Sequence, residues 1–112
     1  MSDCLFCKIA AGEIPSTKLY EDELCFAFYD IAPQAPVHFL VIPKAHVGSV
    51  AEVNADNSAV VAHIFEVIAR LTKEQGIESY RVVSNIGEQA GQSVPHLHFH
   101  VLAGRDMTWP PG

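Results

Sequence analysis

The sequence predicts an α+β fold: a five-stranded, mainly antiparallel sheet with one long helix and one short helix. Three observations carry this. Short apolar runs bounded by turn residues recur at 18–21, 24–29, 37–42 and 80–85, with a fifth run beginning at His96. Residues 55–75 repeat their apolar side chains at helical spacing over several turns. The connections between runs are short, which suits antiparallel neighbours rather than crossover units.

In order, residues 4–12 read as the short helix, with Leu5, Phe6 and Ile9 as its apolar stripe and Gly12 as its stop. Glu13-Ile14-Pro15-Ser16 is a turn. The first two strands are joined by the acidic turn Glu21-Asp22-Glu23, a hairpin pattern in which Cys25 is a small core hydrophobe. A loop fixed by Pro33 and Pro36 leads into the third strand, which Pro43 ends. Asn54 is the expected N-cap of the long helix, Val60, Ile64, Val67, Ile68 and Leu71 its inner face, and Gly76 its end. Ala59, Val61, Ala62 and Phe65 widen that face, which fits either a deeply packed helix or a subunit interface. After the fourth strand comes a Gly-rich loop, 86–95, and then the histidine strand. The tail, 105–112, is irregular, and its Trp109 needs somewhere to bury.

No repeat or linker interrupts this order, so residues 1–112 read as a single domain. The net charge of -6 and the lack of a basic cluster argue against nucleic-acid binding. No apolar run is long enough to cross a bilayer. Met1-Ser2-Asp3-Cys4 lacks the charged and apolar regions of a secretory leader. Three cysteines, an odd number, do not suggest a disulfide framework, so the expected compartment is the reducing cytoplasm.

The chemistry concentrates near the C-terminus. In a strand, residues i, i+2 and i+4 share a face, so His96, His98 and His100 line one side while Leu97, Phe99 and Val101 enter the core. Imidazole serves as nucleophile, proton carrier or metal ligand near neutral pH. Just before them, Gly91-Gln92-Ser93 offers close backbone approach and N–H groups for an anion, with a Ser hydroxyl as a further donor. Cys4-x-x-Cys7 with His46 and His96 makes a donor set suited to a closed tetrahedral zinc site; core cysteines or a redox pair are the alternatives. The apolar run 24–29 ending at Asp30 fits a nucleoside cleft whose carboxylate accepts from ribose, or a plain Asp-capped turn before Pro33. His38 and His63 join no cluster and read as structural.

His96-Leu97-His98-Phe99-His100-Val101-Leu102 resembles the His-φ-His-φ-His-φ-φ motif of the histidine triad (HIT) superfamily. The stretch from Asp30-Ile31-Ala32-Pro33 to Pro43-Lys44, Gly91-Gln92-Ser93-Val94 and the ending Trp109-Pro110-Pro111-Gly112 resemble its Hint branch, the histidine triad nucleotide-binding proteins. Pro95 departs from the Tyr common before the first His, and Cys4 and Cys7 are absent from many Hint members.

The resemblance implies a homodimer that binds a purine nucleotide and hydrolyses nucleoside phosphoramidates such as adenosine 5′-monophosphoramidate. It gives His98 the role of transiently nucleotidylated nucleophile. It makes Asp30 and Ile31 the ribose and base contacts, and Asn85, Gly91, Gln92, Ser93 and His100 the phosphate-side contacts. A neutral imidazole is a competent nucleophile toward phosphorus, and its second nitrogen should donate to a fixed acceptor such as a backbone carbonyl. Ser93 is placed to protonate the amine, and no step requires a metal; zinc at Cys4, Cys7, His46 and His96 is expected only as a structural ion. A nucleotide-sensing module with little turnover and a dinucleoside polyphosphate hydrolase are the competing readings.

Overall fold

The computed structural model describes residues 3–112; Met1 and Ser2, part of the leader reading, lie outside them. Five strands, β1 (Lys18–Glu21), β2 (Cys25–Tyr29), β3 (Val37–Pro43), β4 (Tyr80–Val83) and β5 (Phe99–Ala103), form one sheet in the order β1-β2-β3-β5-β4. Every pairing is antiparallel. Helix α1 is Leu5–Ala10 and helix α2 is Ser58–Glu74. This is the expected α+β class. No helix among the described residues is long and apolar enough to cross a membrane.

The two helices cover opposite faces of the sheet. Ile64, Val67, Ile68 and Leu71 of α2 pack with Cys25, Ala27, Phe39, Val41, Phe99 and Val101. Phe6 and Ile9 of α1 pack with Phe26, Phe28, Leu40 and Ile42. Because both faces of β2 and β3 are covered, those strands read as continuous apolar runs rather than alternating ones. Each fully buried aliphatic or aromatic side chain contributes about 1.5–3 kcal/mol relative to exposure. Ile68→Ala, at the centre of the α2 layer, would therefore cost about 2–5 kcal/mol once the cavity is included.

Two expected boundaries differ. The long helix begins at Ser58, not at 55, and Asn54 is not its cap. The Asn54 carboxamide oxygen instead accepts from Asp56 N–H at 2.8 Å, and Asn57 Oδ1 accepts from Asn54 N–H at 2.8 Å. This local turn uses residues 54–57 before the helix can start. The histidine strand enters the sheet only at Phe99, so His96 and His98 lie in the segment that approaches it. There Leu97 N–H donates to Val47 O at 2.6 Å, and Ser84 Oγ donates to His98 O at 2.8 Å, replacing ladder bonds. The expected face pattern survives: Leu97, Phe99 and Val101 are buried on the α2 side.

Candidate active site and metal centre

The three histidines lie on the α1 side of the sheet. Phe6 of α1 meets His98 edge to face, ring centroids 5.0 Å apart, and His98 meets His100 at 5.0 Å. His98 is buried. Its Nδ1 lies 2.7 Å from the His96 carbonyl oxygen, so Nδ1–H donates there and the lone pair belongs to Nε2. The sequence asked for such an acceptor.

His38, read from sequence as unclustered, belongs to this site. Gln34 N–H donates to His38 Nδ1 at 3.0 Å. A backbone N–H can only donate, so His38 carries its proton on Nε2. That Nε2 lies 2.9 Å from His100 Nδ1 and 3.5 Å from Asp30 Oδ2. His38 therefore donates to His100 Nδ1, which places the His100 proton on Nε2. Burial, and then the neighbouring His98 and His38, hold the His100 imidazole down at about 4, so it is neutral at physiological pH. The signal for His38 was parity. His38 pairs with Leu102 and Leu40 with His100, so all four share one face. That relation needs the β3–β5 register, which spacing alone does not supply.

Asp30 follows β2 and is half-buried, with Oδ1 accepting from Ala32 N–H at 2.8 Å; Ile31 beside it is 100% exposed. In the Gly-rich loop, Gly91 takes φ +100°, and Asn85 lies against it with Nδ2 donating weakly to Gly91 O at 3.5 Å. Ser93 is exposed, and neither its hydroxyl nor its N–H has a protein partner among the described residues. Gln92 differs from expectation. Its amide and its N–H are all bonded within the protein, leaving it no free donor for a phosphate.

Cys4, Cys7, His46 and His96 converge, their ligand atoms all within 4.8 Å of one another. Cys4 Sγ lies 3.2 Å from His96 Nδ1, Cys7 Sγ 3.5 Å from the same atom, and Cys7 Sγ 3.4 Å from His46 Nδ1. Zinc with Zn–S of about 2.3 Å and Zn–N of about 2.0–2.1 Å separates adjacent S and N ligands by roughly 3.6 Å. His96 Nε2–H donates to Pro43 O at 2.9 Å, which turns the Nδ1 lone pair toward the thiols. Burial, then the adjacent Cys4, pushes the Cys7 thiol up, and a coordinated cation reverses that preference. The residues fit zinc. By contrast, the Asp30, His38 and His100 group points a proton inward, because the Gln34 amide fixes the His38 tautomer.

His63 also has partners: its Nε2 lies 2.6 Å from Asp22 Oδ2, tying α2 to the β1–β2 turn. Trp109, expected to bury, is 82% exposed, while Arg81 holds the tail through Thr108 O at 3.0 Å.

Residues 3–109 match the family model described as "Scavenger mRNA decapping enzyme C-term binding". An uncharacterized HIT-like protein of Synechococcus elongatus is 47% identical over 98% of this chain and 97% of its own length. The crystal structure of a HIT family hydrolase from Legionella pneumophila is 49% identical, with a TM-score of 0.95, covering 98% of this chain and 100% of that one. A histidine triad nucleotide-binding protein from Candida albicans is 36% identical, with a TM-score of 0.83, covering 98% and 85%. The family-model match over nearly the whole chain, the near-full-length relatives and the clustered histidines lead to one conclusion: the chain belongs to the histidine triad superfamily.

Proposed function

We propose that the protein is a purine nucleoside phosphoramidate hydrolase, acting on substrates of the adenosine 5′-monophosphoramidate type through a nucleotidyl intermediate on His98. The observation that carries this is the His98 tautomer: Nδ1–H is held by the His96 carbonyl, so the Nε2 lone pair is available to a phosphorus atom. His98 Nε2 bonds to phosphorus as the phosphorus–nitrogen bond breaks, and the amine departs with a proton that the exposed Ser93 hydroxyl relays from solvent water. Water then displaces His98 and releases the nucleotide. His100 Nε2–H, backed by His38, and the free Ser93 N–H are the preorganised donors for the phosphoryl oxygens. Asp30 accepts from the ribose hydroxyls, and exposed Ile31 gives the base an aliphatic surface to cover. The likeness to a HIT family hydrolase from Legionella pneumophila and to a histidine triad nucleotide-binding protein from Candida albicans supports the same reading.

Cys4, Cys7, His46 and His96 would hold zinc, which when bound supplies a structural cross-link between α1, the segment after β3 and the approach to β5. We also read the protein as a homodimer. Phe65 on α2, Tyr80 on the edge strand β4 and Trp109 in the tail are all exposed, an apolar set that a second copy would cover. Incubation with a fluorogenic adenosine phosphoramidate tests the activity: release of AMP and free amine is expected, and no release by the full-length protein would overturn the reading.

A further inference from the structure

Gln92 bonds to three segments at once. Its Oε1 accepts from Gly87 N–H at 2.9 Å, and its Nε2 donates to Gly48 O at 2.8 Å and to Val94 O at 3.1 Å. Its own N–H donates to Gly87 O at 3.0 Å. A carboxamide has two N–H hydrogens, so both are engaged. Gly87 (φ +87°) is the start of the loop, and Val94 is its exit toward His96. Gly48 belongs to a strap, residues 46–48, that touches α1, the histidine segment and the Gly-rich loop at three successive points. His46 Nδ1 meets Cys7, Val47 O accepts from Leu97 N–H, and Gly48 O accepts from Gln92. The strap is braced from behind, since Gly48 N–H donates to Glu52 Oε1 at 3.2 Å. A Cβ at Gly48 would lie 2.3 Å from the Glu52 carboxylate, so a side chain there would displace that carboxylate from its bond to Gly48 N–H.

Ser93 therefore sits between two gripped neighbours. Gln92 is bonded through both backbone and side chain, and Val94 O is bonded by the same amide, while the Ser93 hydroxyl and N–H remain free. We propose that Gln92 is a positioning residue: its carboxamide locks the loop against the strap and so fixes where the Ser93 hydroxyl and N–H point, without touching the ligand. This rests on the proposed role of Ser93 at the phosphoryl group. Donors aimed at charge that develops in the transition state matter most when they are held in place beforehand, so loosening them lowers turnover more than ground-state binding.

The test uses full-length Gln92→Met, which keeps length but no amide, and Gln92→Glu, which keeps the acceptor for Gly87 but sets a carboxylate against two carbonyls. Gln89→Met, an exposed loop residue, is the control. With adenosine 5′-monophosphoramidate, kcat should fall about tenfold to a hundredfold in Gln92→Met, the range that one or two net hydrogen bonds supply. AMP affinity should weaken by much less. Amide hydrogen exchange of residues 87–94 in the free protein should quicken, more so in Gln92→Glu, with the control unchanged. Loss of AMP affinity by the same factor as kcat/KM, with loop exchange unaltered, would make Gln92 a ligand contact and overturn the proposal. Wild-type kinetics and exchange in both variants would overturn it too. Should one variant fail to fold, the other carries the same readouts. A wild-type protein without turnover would sink the phosphoramidate reading instead, and the exchange rates would still decide the positioning role.

Discussion

His98 Nδ1 lies 2.7 Å from the carbonyl oxygen of His96, two residues earlier in the chain. His96 thus serves twice. Its ring turns a lone pair toward Cys4 and Cys7, and its carbonyl decides which nitrogen of His98 is free. The candidate metal centre and the candidate nucleophile share one residue's backbone and side chain.

The tautomers are directly checkable. Nitrogen-15 NMR of the imidazoles should find His98 protonated at Nδ1, and His38 and His100 protonated at Nε2, near neutral pH. A His98 ring protonated at Nε2 in the free protein would contradict the nucleophile geometry.

His38→Phe keeps a ring in a buried position but removes the donor to His100 Nδ1. The His100 proton is then free to move to Nδ1, away from the substrate. We expect kcat to fall about tenfold to a hundredfold, a loss of about 1.4–2.7 kcal/mol in transition-state stabilisation, with a smaller change in KM. Steady-state kinetics with unchanged kcat would show that His38 only packs.

Much of this was legible in the sequence. The parity of His96, His98 and His100 against Leu97, Phe99 and Val101 holds even though only Phe99 onward joins the ladder. A backbone carbonyl accepting from the His98 ring was expected in kind, though not that it would be the carbonyl of His96. What escaped depends on register and long-range approach. His38 reaches His100 only through the β3–β5 pairing, and Gln92 reaches Gly48 across 44 positions. Asn54 misled because an Asx turn and a helix N-cap call for the same residue type.

Low pH should destabilise the fold in two separable windows. His100 is held at about 4 when folded, against ~6.5 in an unfolded chain. A depressed His contributes stability above about pH 6.5, and this is lost as pH falls toward 4, on the order of 3 kcal/mol before solvent screening of a half-buried ring reduces it. For Asp22, burial works upward. Hydrogen bonds from His63, Leu24 N–H, Tyr20 and Cys25 N–H outweigh it, so its carboxyl stays well below the carboxylate range. Its contribution is lost only below about pH 4. Urea unfolding between pH 7 and 4 should show a shallower loss in His100→Asn than in wild type. Parallel curves would remove His100 as the source.

Protein purified without chelator should carry about one zinc per chain, since a closed four-ligand site binds tightly. Chelation should lower the Tm, because a ligand at a hundred times its Kd adds about 2.7 kcal/mol of stability. Cys4→Ser should lose most of the metal. Under half an equivalent in wild type, unchanged in Cys4→Ser, would remove the site.

Attack of His98 Nε2 on phosphorus would leave a nucleotidyl adduct on the ring, and that adduct can be trapped. Wild-type protein mixed with adenosine 5′-monophosphoramidate, acid-quenched early in turnover and analysed by mass spectrometry, should show one nucleoside monophosphate unit on the peptide containing His98. His98→Gly should show no adduct and no measurable turnover while still binding AMP. An adduct on another residue, or a His98→Gly protein that keeps most of the wild-type kcat, would rule out His98 as the nucleophile.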